Sequence, residues 1–561
     1  MIKIATALAV TLLLCACGGG SGGSSVATNN DLESESLDTS DELFQSGALL
    51  RVDIDMDPDD YDILRGEGRS VAQLLSGCAA KFEYSHFTAS VTINGERLDD
   101  VDIRKKGFFG SLSATRPSFK LNLDALVPGR EFYNLEKITL NNNNQDTSNT
   151  HQCMSYQMFR DAGLAAPRCN FAKVTVNGED LGIYSHIESI DRRFLNRNFG
   201  DPNGNLYEGQ VDGDFGDKSR FNLQLKTNIV ENDRSDTALV AQALNASDAN
   251  LPGLLAQVLD LDEFLTFWAM ESITGHWDSA TGNANNYFVY KDPADDLFHY
   301  IPWGTDGALQ LTSGIGSGAS PIPYNGPLFR YTEIPSRLYA IPEWREKFHD
   351  RVELLLDQLW DEDAFNREAG RIRNLTNTPE SELRRVREFF ALYPQKIHDS
   401  ISGKFEQLET RVLDQETVCV EPVVTRIRGS FAGGVGSFEY ENKAGESIVV
   451  PAVVSTPAEG DTIPGADVSM TLVGAGAEGF RIALLSAPEG AVGELSMSGI
   501  DTLLVLIGED DSGSFGLLGF GGNGTLTFDQ PFTLDEPASG RFDAELYLLD
   551  ELSFQGFGGA P

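Results

Sequence analysis

The apolar side chains of residues 261–269 recur at the three- and four-residue spacing of an amphipathic helix. Two runs with the composition of β-strands follow, at residues 286–290 and 298–303. The segment between them, Lys-Asp-Pro-Ala-Asp-Asp, has the turn chemistry of a hairpin connection. The pattern therefore predicts a helix, then a loop, then a hairpin.

Polar residues with metal-binding chemistry lie at the ends of these predicted elements. Asp278 and Asn283 are in the loop after the helix, and Asp306 follows the second strand. Because a hairpin brings its two ends together, we expect the three side chains to lie within reach of one ion. Phosphoryl transfer uses such a set: one carboxylate orients a nucleophilic hydroxyl, while an amide oxygen and a second carboxylate hold divalent cations. Each residue taken singly is more typical of an ordinary turn, so the prediction depends on the arrangement.

A basic cluster precedes this region. Arg104, Lys105 and Lys106 end a predicted strand and are followed by glycines, and Lys120 lies on another strand-like run. Glycines permit close approach of the backbone to phosphate, and cations neutralise its charge. A solvated basic edge strand is an equally good interpretation of the cluster alone.

Further elements are predicted on both sides of the cluster. A helix is expected at about residues 150–162, and strands at 167–176 and 181–188 are joined by Asn177-Gly178, a strong hairpin signal. Long helices are expected at residues 344–360 and 380–392. From residue 423 the sequence becomes Gly-rich and alternating, which predicts an all-β domain, most simply a sandwich.

The amino-acid composition disfavours some classes of binding partner. The chain has 561 residues, with 43 Lys and Arg against 84 Asp and Glu, and a formal net charge of −41. Such a surface disfavours non-specific binding to nucleic acid or to anionic lipid. No nucleic-acid partner is therefore expected.

The N-terminus has the pattern of a lipoprotein signal. Lys3 precedes a short apolar run that ends in Leu14-Cys15-Ala16-Cys17, which makes Cys17 the candidate for lipidation. The run is too short to cross a bilayer as a helix. We expect a bacterial protein of the cell envelope, anchored by lipid on Cys17 at the outer membrane or cell surface. Four cysteines remain, Cys78, Cys153, Cys169 and Cys419, and the sequence does not choose among their three possible pairings.

Several short motifs over about residues 49–407 together resemble the spore-coat-protein-H (CotH) kinase-like family. No single motif is specific, but their shared order is. They include Ile103-Arg104-Lys105-Lys106-Gly107, Leu140-Asn141-Asn142-Asn143, Gly204-Asn205-Leu206-Tyr207, Trp277-Asp278 and Ile301-Pro302-Trp303.

The resemblance implies an ATP site between two lobes. In it Lys120, Arg104 and Lys106 contact the phosphates, and residues 187–190, which include Glu188, line the adenine pocket. It also implies transfer of the ATP γ-phosphate to Ser or Thr of an exported or surface protein, with Mg²⁺ or Mn²⁺. Asp278 is then the catalytic aspartate, and Asn283 and Asp306 are the metal ligands.

The sequence departs from the family pattern at three places. Gln152 stands where an acidic partner of the ATP-binding lysine is expected, and an amide can hydrogen-bond Lys120 without forming an ion pair. Gly304 replaces a carboxylate in the usual Trp-Asp-x-Asp motif, and Phe108 and Phe109 replace small polar residues in the loop near the phosphates.

The expected fold class is α+β, a two-lobed atypical protein-kinase-like domain followed by an all-β, sandwich-like domain. The expected boundaries are a signal peptide at 1–17, a flexible linker at 18–46, the kinase-like domain at 47–420 and the Gly-rich β-domain at 421–561. Two alternatives remain open: a catalytically weak pseudokinase, and an envelope protein whose function is structural or adhesive.

Overall fold

The computed structural model describes residues 38–45, 47–68, 82–108, 111–210, 212–311, 326–404, 414, 416, 423–459, 468–497, 502–509 and 515–548. The predicted signal peptide, with Cys17, lies outside these ranges, as do Cys78 and Cys419. No helix within the described ranges is long and apolar enough to cross a membrane. Among these described residues, helices and strands both occur up to residue 404, and only strands and their connections occur from residue 423 to residue 548.

A closed sheet of seven strands forms the first part of the α+β region. Its order is β1-β2-β3-β4-β5-β7-β6, and it closes because β1 pairs with β2 on one side and with β6 on the other. Apolar side chains of these strands, packed with α1 (Pro58–Gly66), form their own core. The strands are β1 (Leu50–Met56), β2 (Phe87–Ile93), β3 (Glu96–Lys106), β4 (Ser118–Asn122), β5 (Lys137–Asn141), β6 (Cys169–Val176) and β7 (Glu179–Ile187).

The helix predicted near residue 150 is α2 (His151–Asp161). A disulfide between Cys153 and Cys169 ties this helix to β6. It settles one of the pairings that the sequence left open.

The second part of the α+β region combines a four-stranded sheet with helices. The sheet has the order β11-β10-β8-β9, formed by β8 (Leu206–Gly209), β9 (Leu223–Leu225), β10 (Tyr287–Asp292) and β11 (Leu297–Pro302). The predicted helix and hairpin are confirmed as α6 (Leu261–Ile273) and the β10–β11 pair, in which β11 is an edge strand of this sheet. The other helices are α3 (Arg192–Phe199), α4 (Ser235–Leu244), α5 (Leu251–Leu255), α7 (Glu333–Ala340), α8 (Pro342–Leu359), α9 (Glu362–Thr376) and α10 (Arg384–Ile401).

Two of these helices differ from the sequence-based expectation. The helix expected at residues 380–392 begins as a 3₁₀ turn, Glu380–Leu383, and continues as α10 through Pro394 to Ile401. Buried side chains on both sides of Pro394, among them Phe390 and Ile397, carry the helix past its predicted end, although proline has no N–H to donate within a helix. Helix α9 was not predicted, because only Ala369, Ile372 and Thr376 of its fifteen residues are buried.

The segment expected to be a flexible linker is ordered before its predicted end. Residues Ser40–Phe44 form a 3₁₀ helix, and Leu43 is 2% exposed. Asn170 Nδ2 donates to the carbonyl oxygens of Leu43, Gln45 and Ala48 at 3.2, 2.8 and 3.1 Å. We call residues 39–48 the N-terminal strap.

The C-terminal region is one continuous sheet with its own core, rather than the expected sandwich of two sheets. Hydrogen-bonded neighbours in this sheet follow the order β14-β13-β12-β21-β20-β19-β17-β16-β15. Strand β14 also pairs with β16, so the sheet closes on itself. Long strands that alternate inside and outside can bend into one such layer, and periodicity alone does not distinguish the two architectures. The strands are β12 (Val423–Ala432), β13 (Val435–Glu441), β14 (Ser447–Val454), β15 (Ala458–Glu459), β16 (Val468–Gly476), β17 (Gly479–Ala487), β18 (Ala491–Ser496), β19 (Leu503–Glu509), β20 (Phe515–Phe532) and β21 (Ser539–Leu548).

Candidate active site

A buried glutamate organises the loop that carries Asp278. Glu271, near the end of α6, accepts hydrogen bonds from the backbone N–H groups of Ala280 and Thr281 at 3.1 and 2.9 Å and from the Thr281 hydroxyl at 2.6 Å. Burial raises the pKa of Glu271 to about 7, although these hydrogen bonds lower it. The helix thus holds the loop through one side chain, which sequence analysis did not identify.

Three asparagines hold the carboxylate of Asp278. The Nδ2 groups of Asn283 and Asn285 donate to its Oδ1 at 2.9 and 3.1 Å, and Asn286 Nδ2 donates to its Oδ2 at 2.7 Å. Burial raises the pKa of Asp278 above its usual value, and the three amide hydrogen bonds oppose this rise. The amide oxygen of Asn283 is not used in these bonds.

Asp306 lies in a short 3₁₀ turn, Thr305–Gly307, directly after β11. Its side chain is buried, and burial raises its pKa to about 6. The Lys106 ammonium opposes this rise, whereas the carboxylates of Asp278 and Asp146 add to it. The charges of Asp278 and Lys106 thus both act on the Asp306 carboxyl group.

Helix α2 and the Asp278 loop support the Asp306 turn from two sides. His151 Nδ1 lies 2.8 Å from the carbonyl oxygen of Asp306, and His276 Nε2 lies 3.2 Å from that of Gly304. Burial lowers the pKa of His276 to about 4, so its ring is neutral and donates through Nε2–H. The Asp146 carboxylate accepts a hydrogen bond from the backbone N–H of His151 at 2.7 Å. These contacts join residues up to 155 positions apart, which a single sequence does not reveal.

The predicted phosphate-binding cations share one face of the closed sheet. Arg104 on β3 pairs directly with Lys120 on β4, so both side chains point to the same side, as does Lys106 two residues on. Lys105 points to the other side, where its Nζ donates to the Arg65 carbonyl oxygen at 2.6 Å. Burial lowers the pKa of Lys120 to about 7, helped by the positive charges of Arg104 and Lys137.

Two residues predicted to contact ATP, Gln152 and Glu188, have side-chain environments that differ from the predicted ones. Gln152 is 2% exposed, and among the described residues its Oε1 has no hydrogen-bond partner, Lys120 included. The Glu188 carboxylate accepts from Arg168 Nη2 at 2.7 Å and from Arg197 Nε at 3.2 Å. These ion pairs join the residue before β6, the residue after β7 and helix α3, so the Glu188 carboxylate is engaged within the protein.

The structure gives a reason for Gly304 at the position of the missing carboxylate. Gly304 has a positive φ of 55°, and a Cβ there would lie 2.6 Å from Asn286 Cγ. Because Asn286 holds Asp278, a side chain at position 304 would displace one of the three amide donors.

In the basic loop, Gly107 has a positive φ of 120°, and a Cβ there would lie 2.5 Å from Ser111 Oγ. Phe109 and Gly110 lie outside the described residues.

The side chains present fit a divalent cation and a triphosphate. The Asn283 amide oxygen and the Asp306 carboxylate are the hard oxygen ligands that Mg²⁺ and Mn²⁺ prefer. A second cluster, Asp292, Asp295 and His299, fits a metal less well. Although burial lowers the pKa of His299, hydrogen bonds to Glu263 and Asp295 raise it to about 9, so both ring nitrogens carry protons.

Comparison with known proteins gives one family. The family model described as CotH kinase protein matches residues 103–410, more than half of the chain. Inner spore coat protein H of Bacillus subtilis is 25% identical over 284 residues, which cover 48% of this chain and 75% of that protein. Two proteins of Rhizopus delemar match as well: invasin CotH7, 23% identical over 203 residues, and spore coat protein homolog 1, 21% identical over 255 residues. These matches cover 34% and 42% of this chain, but only 33% and 41% of the two Rhizopus proteins.

Proposed function

This chain belongs to the CotH kinase protein family, and from that premise we propose that it is an extracytoplasmic protein kinase. It transfers the ATP γ-phosphate to Ser or Thr of an exported or surface protein. The closed sheet and the helical part are then the two lobes of an atypical kinase-like domain.

The observation that carries the proposal is the meeting of three groups from distant parts of the chain. Asp306, in the turn after β11, is buried, and the charges of Asp278 from the loop after α6 and of Lys106 from β3 both act on its carboxyl group. Two carboxylates and a lysine in one site match what phosphoryl transfer requires.

Each side chain has a role in the reaction. Asp278, fixed by its three asparagines, accepts the proton of the acceptor hydroxyl, whose oxygen attacks the γ-phosphorus while ADP leaves. Asn283 and Asp306 would hold Mg²⁺ or Mn²⁺, which neutralises charge on the phosphates when it is bound. Lys106, Lys120 and Arg104 would bind the phosphates from the face of β3 and β4.

The proposed location is the bacterial cell envelope. The relatives include an inner spore coat protein and an invasin, names that support a surface-associated or extracellular protein. We propose lipid on Cys17 as the anchor, at the outer membrane or cell surface, because of the Leu-Cys-Ala-Cys pattern. The disulfide between Cys153 and Cys169 suits an oxidising compartment.

A pseudokinase is the second candidate. The observation that favours it is Gln152, which offers no charge to Lys120. Such a protein would bind ATP without transferring phosphate.

Two measurements on the purified chain separate the candidates. The first is the shift in melting temperature caused by ATP with Mg²⁺, Mn²⁺ or EDTA, and the second is mass-spectrometric detection of phosphate on a generic Ser/Thr acceptor. A kinase gives both a metal-dependent shift and phosphorylated acceptor, whereas a pseudokinase gives only the shift. If the chain shows neither the thermal shift nor phosphorylated acceptor, both proposals are contradicted. An adhesive or structural function is then the remaining alternative.

A further inference from the structure

Helix α2 begins at His151, and two contacts fix the helix at this end. The Asp146 carboxylate accepts a hydrogen bond from the first N–H of the helix, that of His151, at 2.7 Å. The disulfide between Cys153 and Cys169 ties the same helical turn to the first residue of β6. The His151 side chain therefore projects from a helix end whose position is set by other parts of the fold.

The turn that carries Asp306 is short. It comprises Thr305–Gly307 and follows Gly304, whose φ of 55° is in the left-handed region. Across the turn, the Ala308 N–H donates to the Thr305 carbonyl oxygen at 3.2 Å. Because a 3₁₀ turn has poorer hydrogen-bond geometry than an α-helix, contacts from outside it help to decide where Asp306 lies.

The His151 ring supplies one such contact. Its Nδ1 lies 2.8 Å from the carbonyl oxygen of Asp306. A carbonyl oxygen only accepts hydrogen bonds, so Nδ1 carries a hydrogen and donates it. His151 and Asp306 are 6% and 8% exposed, so little water is available to replace this bond. The carbonyl carbon and the side chain of Asp306 are attached to the same Cα, so a bond that fixes the carbonyl also limits where the carboxylate can lie.

We propose that His151 is a positioning residue of the metal site, which holds the Asp306 carboxylate in place through the backbone of the same residue. This inference rests on the proposed function, because it assigns Asp306 to Mg²⁺ or Mn²⁺. The metal ligand after β11 is then held by a helix that the disulfide ties to the closed sheet. ATP affinity in the presence of metal therefore depends on where α2 lies.

A histidine that only stabilises the fold makes a different prediction. Its loss lowers the free energy of unfolding and weakens ATP binding to a similar degree with and without metal. Loss of a residue that positions Asp306 weakens the metal-dependent part of ATP binding, since the cations on β3 and β4 do not act through His151. Residues that orient a metal ligand typically change metal affinity by about 10- to 100-fold.

Two substitutions at His151 distinguish its two ring nitrogens. The side-chain nitrogen of asparagine is as many bonds from Cα as Nδ1, so His151→Asn can keep the donor to Asp306. The nitrogen of glutamine corresponds to Nε2, so His151→Gln loses that donor. Glutamine is the better helix former, so a greater loss in His151→Gln cannot come from helix propensity. His349→Gln is the matched control, because His349, on helix α8, places its Nε2 3.0 Å from Tyr339 Oη.

The test measures the dissociation constant for ATP by calorimetry on the full-length chain, once with EDTA and once with Mg²⁺. The first constant divided by the second gives the gain in affinity due to metal. We expect His151→Gln to reduce this gain about tenfold, while its ATP affinity in EDTA stays within about twofold of the parent. His151→Asn should keep most of the gain, and His349→Gln should leave it unchanged.

Other results would contradict the proposal at different levels. If both constants of His151→Gln rise in parallel, or if His151→Asn loses as much of the gain as His151→Gln, the role of His151 is overturned and the metal site stands. A parent protein whose ATP affinity does not depend on Mg²⁺ would overturn the proposed metal site, and this role with it.

The parent protein provides a second measurement, which holds even if His151→Gln does not fold. In protein with ¹⁵N-labelled histidine, Mg²⁺ added in the presence of ATP should shift the NMR signal of His151 Nδ1, assigned with His151→Asn. The signals of His349 should stay in place. An unshifted His151 signal in a parent protein that binds ATP with Mg²⁺ would overturn the role of His151 alone.

Discussion

At the scale of single residues, the candidate site contains buried carboxylates, and burial disfavours their charged form. Asp306 is buried, and the neighbouring charges of Asp278 and Asp146 add to the effect of burial on its pKa. Lys106 is the cation that offsets them. A divalent ion between these oxygens would relieve the same repulsion more strongly, because it carries two charges.

Asp306→Asn should therefore weaken Mg²⁺-dependent ATP binding by about tenfold or more. The parent protein should also bind Mg²⁺ more tightly as the pH rises from 5 to 7, since the Asp306 carboxyl, with a pKa of about 6, loses its proton in that range. The Asn variant should lose this part of the pH dependence. Calorimetry at several pH values measures both effects, and an identical Mg²⁺ dependence in the two proteins would contradict the assignment.

That Asp278 and Asn283 lie together could be predicted from the sequence, because they are five residues apart in one loop. The catalytic and metal-binding roles of Asp278, Asn283 and Asp306 stay predictions. His151 was missed because its contact with Asp306 joins residues 155 positions apart. Asp146 and Glu271 have partners only 5 and 10 positions away, but no motif marks them. A single sequence shows spacing along the chain and not contacts between sheets.

At the scale of elements, α6 and the Asp278 loop form one unit joined by Glu271. Three donors surround its carboxylate, so Glu271→Gln places an amide N–H against at least one of them. We expect a loss of about 2–3 kcal/mol of unfolding free energy at pH 8 and a marked fall in transfer activity. Denaturant unfolding and hydrogen exchange of residues 279–282 measure this.

The pH dependence of that loss has a definite sign. Because the Glu271 pKa is raised to about 7 in the folded state, the folded protein binds a proton more tightly than the unfolded chain between pH 4.5 and 7. This group therefore makes the parent less stable as the pH rises through that window. The Gln variant should lack this contribution; an unchanged pH profile would contradict the role of Glu271.

The N-terminal strap is a second element whose contribution can be measured. Phe44 stacks on His186 with ring centroids 4.6 Å apart, and the Arg168 guanidinium lies 4.6 Å from the same ring. Phe44→Ala should cost about 1–2 kcal/mol of unfolding free energy. Phe221→Ala is the matched control, because Phe221 also carries an arginine over its ring but is 46% exposed. Equal losses in the two variants, measured by thermal unfolding, would show that the strap adds nothing.

At the scale of the whole molecule, the two regions have separate cores. The buried residues of the C-terminal core all lie between Ile427 and Leu548, and none belongs to the cores of the α+β region. The sequence predicted this division from the change in composition near residue 423, but not that the sheet closes on itself. Both architectures bury alternate side chains, so the pattern is the same.

Deletion of residues 421–561 should therefore leave the α+β region folded and ATP binding within about twofold of the parent. Circular dichroism and calorimetry on the shortened chain measure this. Loss of ATP binding in a shortened chain that remains folded would assign part of the site to the C-terminal region.

In the proposed reaction, Asp278 directs phosphoryl transfer. The most direct test is transfer of labelled γ-phosphate by the purified chain to a generic Ser/Thr acceptor with Mg²⁺ or Mn²⁺, beside Asp278→Asn. We expect label in the parent and a fall of at least a hundredfold in the variant, whose amide cannot accept the hydroxyl proton. The variant should keep its melting temperature and its ATP affinity. Equal transfer by both proteins would contradict the role of Asp278.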